Sequence, residues 1–292
     1  MKVVDELSDY DSFKDVYHQH VPGVSFPSNE RLKEIVNLTR SILFPGYFGN
    51  SEVEMITIKY HIGCQLEKLS NLLYVQVLAG LCFDADNESI DMCKLKAKSQ
   101  QIVNDFVCEL PKLRELLITD VEAAYIGDPA AKSRAEIFLC YPAVRTISSY
   151  RIAHQLLVLG VPYIPRMISE MAHSETGIDI HPGAKIGSYF TIDHGTGVVV
   201  GETAILGNHV KLYQGVTLGA KSFQLDENGN PIKDLPRHPI IKDNVVVYAN
   251  ATILGRITIG EGAVIGGNVW VTHDVPDGGK VVQQKTAENK PI

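Results

Sequence analysis

An aliphatic residue returns at every sixth position through the second half of the chain. Ile180, Ile186, Ile192, Val198, Ala204, Val210 and Val216 keep this spacing unbroken, and it resumes at Ile241, Val247, Ile253, Ile259, Ile265 and Val271. A period of six fits neither the 3.6-residue repeat of a helix nor the alternation of an ordinary strand. It predicts a parallel β-helix, in which each hexad forms one flat wall and three hexads close a triangular coil of about 18 residues. The aliphatic residues then point inward and stack from coil to coil, giving a column of Ile180, Val198 and Val216. Gly183, Gly187, Gly195, Gly201 and Gly207 are expected at the corners, where glycine accepts strained dihedrals. Each coil buries its face against its neighbours, so stability accumulates along the stack.

The repeat is interrupted once. Between Val216 and Ile241 runs a polar stretch, Ala220 to Pro231, that contains the turn dipeptide Asn228-Gly229. It reads as a loop over 219–240, protruding from one corner of a rigid scaffold, where functional residues tend to gather.

The first half carries a helical period instead. Ser51-Glu52-Val53-Glu54 has the form of a capping box, followed by Met55, Ile58, Ile62, Leu66, Leu69, Leu73 and Val77 on one face. Pro111, Pro129 and Pro142 mark further helix starts, and Gly160 with Pro162 ends the last of these. The expected organisation is α+β: an all-helical domain over 1–172, a left-handed parallel β-helix over 173–277, and a C-terminal tail over 278–292.

Composition narrows the function classes. With 45% hydrophobic and 21% charged residues the chain has the balance of an ordinary globular protein. A net charge of −7 argues against nucleic acid as a partner. No apolar run reaches the roughly 18–20 residues needed to span a bilayer, and the N-terminus lacks the apolar core of a signal peptide. The cysteines Cys64, Cys82, Cys93, Cys108 and Cys140 form no CxxC pair, which fits reduced, buried thiols in a cytoplasmic protein.

Five of the ten histidines lie in the repeat region: His181, His194, His209, His238 and His273. His194 follows Asp193, and in three-walled geometry Asp179 lies on the same or an adjacent coil, near a corner. An aspartate that accepts from one imidazole nitrogen fixes the tautomer and makes the other nitrogen a better base. Such a pair suits removal of a proton from an alcohol during acyl transfer. Arg237, beside His238, offers a guanidinium that can hold a carboxylate in two-point fashion.

These residues sit in motifs that resemble the serine acetyltransferase family. Asp179-Ile180-His181-Pro182-Gly183-Ala184-Lys185-Ile186-Gly187, Asp193-His194-Gly195-Thr196-Gly197, Val199-Val200-Gly201-Glu202-Thr203-Ala204, Gln214-Gly215-Val216-Thr217-Leu218-Gly219 and Arg237-His238-Pro239 all match, as do Asp128-Pro129-Ala130 and Ser149-Tyr150-Arg151-Ile152-Ala153-His154 upstream. The resemblance spans roughly Asp128 to Pro276. It implies acetyl transfer from acetyl-CoA to L-serine by direct attack, with His194 as base and Asp179 as its orienting carboxylate. Asp128 and Asp193 would hold the serine ammonium and Arg237 its carboxylate, with His238 close to the reacting side chain. Acetyl-CoA would lie between subunits near Gly219, Ala249 and Gly267.

The resemblance further implies a homotrimer or a hexamer built from two trimers, feedback inhibition by L-cysteine, and no metal or permanent cofactor. A terminal isoleucine, here Ile292, would dock into O-acetylserine sulfhydrylase. Two departures stand out: the loop over 219–240 is longer than the family's link, and Val275-Pro276-Asp277-Gly278-Gly279-Lys280 replaces the family's Gly-Val-Pro-Ala-Arg turn. Three alternatives stay open on the residues themselves. These are a metalloenzyme using His181, His194 and His209, an acyltransferase for a sugar or other acceptor, and an assembly protein without catalysis.

Overall fold

The computed structural model describes residues 2–18, 21–49, 53–85 and 91–283. Helices come first: α1 (Lys2–Leu7), α2 (Tyr10–Phe13), α3 (Asn29–Leu43), α4 (Ile58–Asp84), α5 (Met92–Gly127), α6 (Arg134–Cys140), α7 (Pro142–Val158) and α8 (Ile164–Thr176). Their apolar faces share one core, in which Leu32, Ile35, Leu69, Leu73, Phe106 and Leu156 are fully buried. Pro142 starts α7 as expected, and Gly160 and Pro162 follow its end. Pro111 does not start a helix; it lies within the 36 residues of α5. Pro129 begins a turn, and α6 starts only at Arg134, capped by the Ser133 side chain. The capping box at 51–54 begins outside the described residues, and Met55 precedes α4, which opens after Thr57. The last helix ends at Thr176, a few residues beyond the expected boundary, and Gly177 closes it in the left-handed conformation at φ 70°.

Fourteen short strands then wind a left-handed β-helix whose neighbours are all parallel. Wall 1 contains β1 (Asp179–Ile180), β4 (Val199–Val200), β7 (Thr217–Gly219), β10 (Thr252–Leu254) and β13 (Trp270–Val271). Wall 2 contains β2 (Lys185–Ile186), β5 (Ile205–Leu206), β8 (Ile240–Ile241) and β11 (Thr258–Ile259). Wall 3 contains β3 (Thr191–Asp193), β6 (Lys211–Tyr213), β9 (Val246–Val247), β12 (Val264–Ile265) and β14 (Lys280–Val281).

The stacking differs from the expected column. Ile180 lies beside Val200, not Val198, and the column continues through Leu218, Ile253 and Val271. Each wall buries two residues, one at the corner and one two positions later, such as Val198 and Val200 or Val210 and Leu212. Two extra residues at the corner over 194–198 shift the phase, so the unbroken six-residue series passes from one inward position to the other. Burying a side chain of this size contributes about 1.5–3 kcal/mol, which the column repeats in every coil.

The corner glycines also serve a different purpose from the one expected. Of the five, only Gly195 has positive φ, at 103°. The left-handed corner positions are held by Tyr189, His209 and Asn244 on one edge and by His194, Asn250 and Asn268 on another. Gly201 and Gly207 instead admit a neighbouring coil: a Cβ would come within 2.0 Å of His238 and 2.1 Å of the Asp243 carboxylate, respectively.

The helical domain is tied to the first coil through α7 and α5, where Thr119 and Asp120 also accept from the Tyr189 and Phe190 amides. Arg151 of α7 forms a buried two-point pair with Asp120 of α5 at 2.6 and 2.8 Å, and donates to the carbonyls of Ile186 and Gly187. Tyr150 donates to the Ala184 carbonyl at 2.6 Å, and His154 Nδ1 lies 2.7 Å from the Pro182 carbonyl. Val275-Pro276-Asp277-Gly278-Gly279-Lys280 forms the final corner, where Asp277 accepts from the Glu261 amide and Lys242. Of the cysteines only Cys82 is buried; Cys64, Cys93, Cys108 and Cys140 are exposed, contrary to the expectation of buried thiols. Among the described residues no helix is long and apolar enough to cross a membrane. Ile292 lies outside the described residues.

Candidate active site

The site residues named above fall into two groups on two edges of the prism. The edge between walls 3 and 1 carries the first. Here Asp193 ends β3, and His194 opens the extended corner with φ 58°. This corner leans on the entry to the β-helix: the Gly197 amide donates to the Gly177 carbonyl at 2.8 Å. A Cβ on Gly195 would lie 2.4 Å from Ile178, so the corner seats closely above the strand that begins at Asp179.

Lys211 on β6 joins this edge to the helical domain. Its ammonium lies 3.2 Å from Asp193 Oδ2 and donates to the Gly127 carbonyl at 2.7 Å, at the end of α5. Burial opposes its charge, but Tyr213 and Asp193 outweigh burial and the pKa rises. The next residue, Asp128, is thereby brought beside Asp193 and His194. Asp128 accepts from Tyr141 at 2.5 Å and from the Ala130 amide at 2.8 Å. Those bonds, with smaller contributions from Lys211 and His194, hold its carboxyl below the usual range. Tyr141 is pushed up to about 12, chiefly by donating to Asp128, and so remains a neutral donor. Asp128 lies within electrostatic reach of His194, whose side chain is 73% exposed with its Nε2 3.8 Å from Asp193. The arrangement suits a small ammonium group whose neighbour must lose a proton.

Asp179 makes no hydrogen bond or ion pair with His194 among the described residues. Its Oδ1 is buried without a partner. An orphaned acceptor is costly; ligand atoms of Glu170 and His173 lie within 4.8 Å of Asp179, while the preceding residue, Ile178, packs under the corner at Gly195. On the same edge, Gly267 and Ala249 lie in successive coils: a Cβ on Gly267 would lie 3.0 Å from the Ala249 carbonyl.

The edge between walls 1 and 2 carries the second group. The loop returns here, and Arg237 pairs with Glu202 at 2.6 Å. Thr203 fixes the loop exit, because its hydroxyl accepts from the backbone amides of Arg237 and His238. His238 is 7% exposed and packs on Gly201. Its Nδ1 accepts from the Thr203 amide at 3.0 Å, which leaves the proton of the neutral ring on Nε2. Burial, then the nearby Arg237 charge, lower its pKa to about 4. It is therefore an uncharged N–H donor at neutral pH. Burial also lowers His181 on this edge. Gly219 ends β7 and leads into the loop, so it belongs to this second edge rather than with Ala249 and Gly267.

His181, His194 and His209 stand on three different edges and do not converge within one chain. Among the described residues, the group whose ligand atoms lie within 4.8 Å of one another is Glu170, His173 and Asp179. Tyr141 and Lys211 were not singled out from sequence, and of these two only Tyr141, shortly after Asp128, offered a local signal. Glu202 and Thr203 stood in a matching motif but without a role of their own.

A family description, bacterial transferase hexapeptide (six repeats), matches residues 238–273. A serine acetyltransferase encoded on a plasmid of Synechococcus elongatus is 50% identical over 260 residues, covering 88% of this chain and 82% of the relative. Entamoeba histolytica serine acetyltransferase 1, solved in complex with L-cysteine, superposes with a TM-score of 0.74 at 36% identity, covering 96% of this chain and 94% of that one. Soybean serine acetyltransferase complexed with serine matches at 0.56 and 30% identity, covering 89% and 98%. Together with the β-helix and its two polar edges, these similarities establish that the chain belongs to the serine acetyltransferase family.

Proposed function

We propose that the chain transfers the acetyl group of acetyl-CoA to the hydroxyl of L-serine, giving O-acetyl-L-serine and CoA as the entry to cysteine synthesis. The observation that carries the acceptor is the pairing of chemistries on the two edges. Asp128 and Asp193 offer negative charge to an ammonium, and Arg237 offers a guanidinium to a carboxylate. A sugar acceptor would leave both unused.

In this reading His194 takes the proton from the serine hydroxyl as the oxygen attacks the thioester carbonyl. The tetrahedral intermediate collapses, the C–S bond breaks, and the imidazolium returns the proton to the CoA thiolate. Asp179 orients the ring and stabilises its charged form through the Oδ1 that lacks a partner. His238 Nε2–H donates to an oxygen of the bound substrate. Acetyl-CoA runs along the coils past Ala249 and Gly267, with Gly219 contributed from the other edge.

The two groups lie on different edges of one prism, so a complete site forms where two copies meet, as in a trimer whose three-fold axis runs beside and roughly parallel to the three prisms. The 73% exposure of His194 in a single chain fits such an interface. L-cysteine carries the same ammonium and carboxylate as serine and competes for the same contacts. The terminal Ile292 serves as the docking element for O-acetylserine sulfhydrylase, and equal binding by a chain lacking Ile292 would refute this.

The acceptor is tested by thiol release with L-serine, serine methyl ester and a hexose, with cysteine as inhibitor. Serine should react, the ester should show a strongly raised KM, and cysteine should compete with serine. An ester as good as serine would remove Arg237 from the carboxylate role.

A further inference from the structure

A cavity of about 1000 Å³ opens between α3, α7 and α8 in the helical domain. None of the residues assigned above to serine or acetyl-CoA lines it. Arg40 reaches it from α3 and is only 6% exposed. Its guanidinium donates to Ser148 Oγ at 2.9 Å, to the Arg145 carbonyl at 2.6 Å and to Ser149 Oγ at 2.8 Å. All three acceptors are neutral. Among the described residues Arg40 has no carboxylate partner, and its Nη1 makes no hydrogen bond.

The acids lining the cavity are already engaged. Glu175 pairs with Arg145 at 2.8 Å, and Glu170 pairs with Arg166. Lys33, about two turns before Arg40 on α3, also lines the cavity and forms no ion pair among the described residues. Two positive charges therefore face the space unbalanced. A buried cation without a counter-charge is costly, and burial holds the Arg40 pKa down at about 10, with Arg145 adding to the effect and Glu175 opposing it.

We infer that this cavity is a second ligand site, in which a phosphate monoester pairs with Arg40 and Lys33 and an apolar or aromatic body fills the remaining volume. The body follows from size and lining. The volume is at the upper end of small-molecule sites, far more than a bare oxyanion occupies, and Val36, Phe48 and Met167 supply apolar wall. A guanidinium is the group best shaped for a phosphate, and the lysine adds a point charge.

The experiment is calorimetric titration of the full chain with AMP, inorganic phosphate and adenosine, in which the Lys33 and Arg40 variants, remote from the acetyl-CoA groove, separate binding in this cavity from binding in that groove. AMP should bind saturably, and adenosine should give no binding. Affinity for AMP should fall at least tenfold in Lys33→Gln and in Arg40→Gln. Arg40 also ties α3 to α7, so its variant is compared only if its circular dichroism and melting are unchanged; Lys33 is exposed and its replacement leaves the fold intact. Absence of saturable AMP binding, or equal affinity in Lys33→Gln, would overturn the site. Phosphate binding as tightly as AMP would overturn the organic body. None of these readouts depends on acetyl transfer, so the serine reading can fail without affecting the result.

Discussion

His194 holds a left-handed backbone conformation that few residues with a side chain adopt. That conformation, at a corner two residues longer than its neighbours, leaves the imidazole 73% exposed, with its Nε2 3.8 Å from Asp193. Replacing His194 with Ala should lower turnover roughly 10²–10⁴-fold while acetyl-CoA still binds. Asp179→Asn should also lose turnover, since an amide cannot stabilise an imidazolium; steady-state kinetics on both variants check this, and unchanged kcat in either contradicts the assignment.

His238 gives a second test at this scale. Its folded pKa of about 4 lies below the ordinary 6.5, so between these values the unfolded chain binds more protons than the folded one. The stability owed to the neutral ring is complete above about pH 6.5 and is lost as pH falls toward 4. Urea midpoints measured across that window should fall more steeply for the unaltered protein than for His238→Gln. Equal slopes would show that His238 is not buried neutral. The charged and imidazole members of the site were legible as residue types in motifs. Lys211 was not, because its partner Gly127 lies 84 residues away in sequence, and Thr203 stood in a motif whose purpose was hidden because His238 lies 35 residues away.

At the scale of elements, the period of six identified the β-helix because the inward residue must be aliphatic in every hexad. It concealed the phase change at 194–198, since both inward positions accept Ile, Val or Ala and a two-residue insertion moves one series onto the other. Pro111 misled for a related reason. A proline costs a helix one hydrogen bond and a clash, and 36 residues of packed α5 outweigh that. Glycine at 201 was legible as a corner residue, but its reason, room for His238, required the loop to return. Gly201→Ala should push His238 off its place by Thr203. We expect a raised serine KM with the helical content unchanged by circular dichroism; an unaltered KM would mean that His238 does not need this seat.

At the scale of the whole molecule, Asp193 and His194 lie on one edge of the prism and Arg237 and His238 on another, so the serine site proposed above depends on how copies meet. That dependence was invisible in the repeat, which says how coils stack but not which edges touch. Subunit mixing tests it most directly. His194→Ala and Arg237→Ala chains, each inactive alone, are unfolded together at equal amounts, refolded into mixed trimers, and assayed for serine-dependent CoA release. If each site takes His194 from one copy and Arg237 from its neighbour, about a quarter of the interfaces pair two intact edges, and activity should return to about a quarter of the unaltered level. If mixed trimers form and release no CoA, both edges serve a site within one chain, and the account of a shared serine site is wrong.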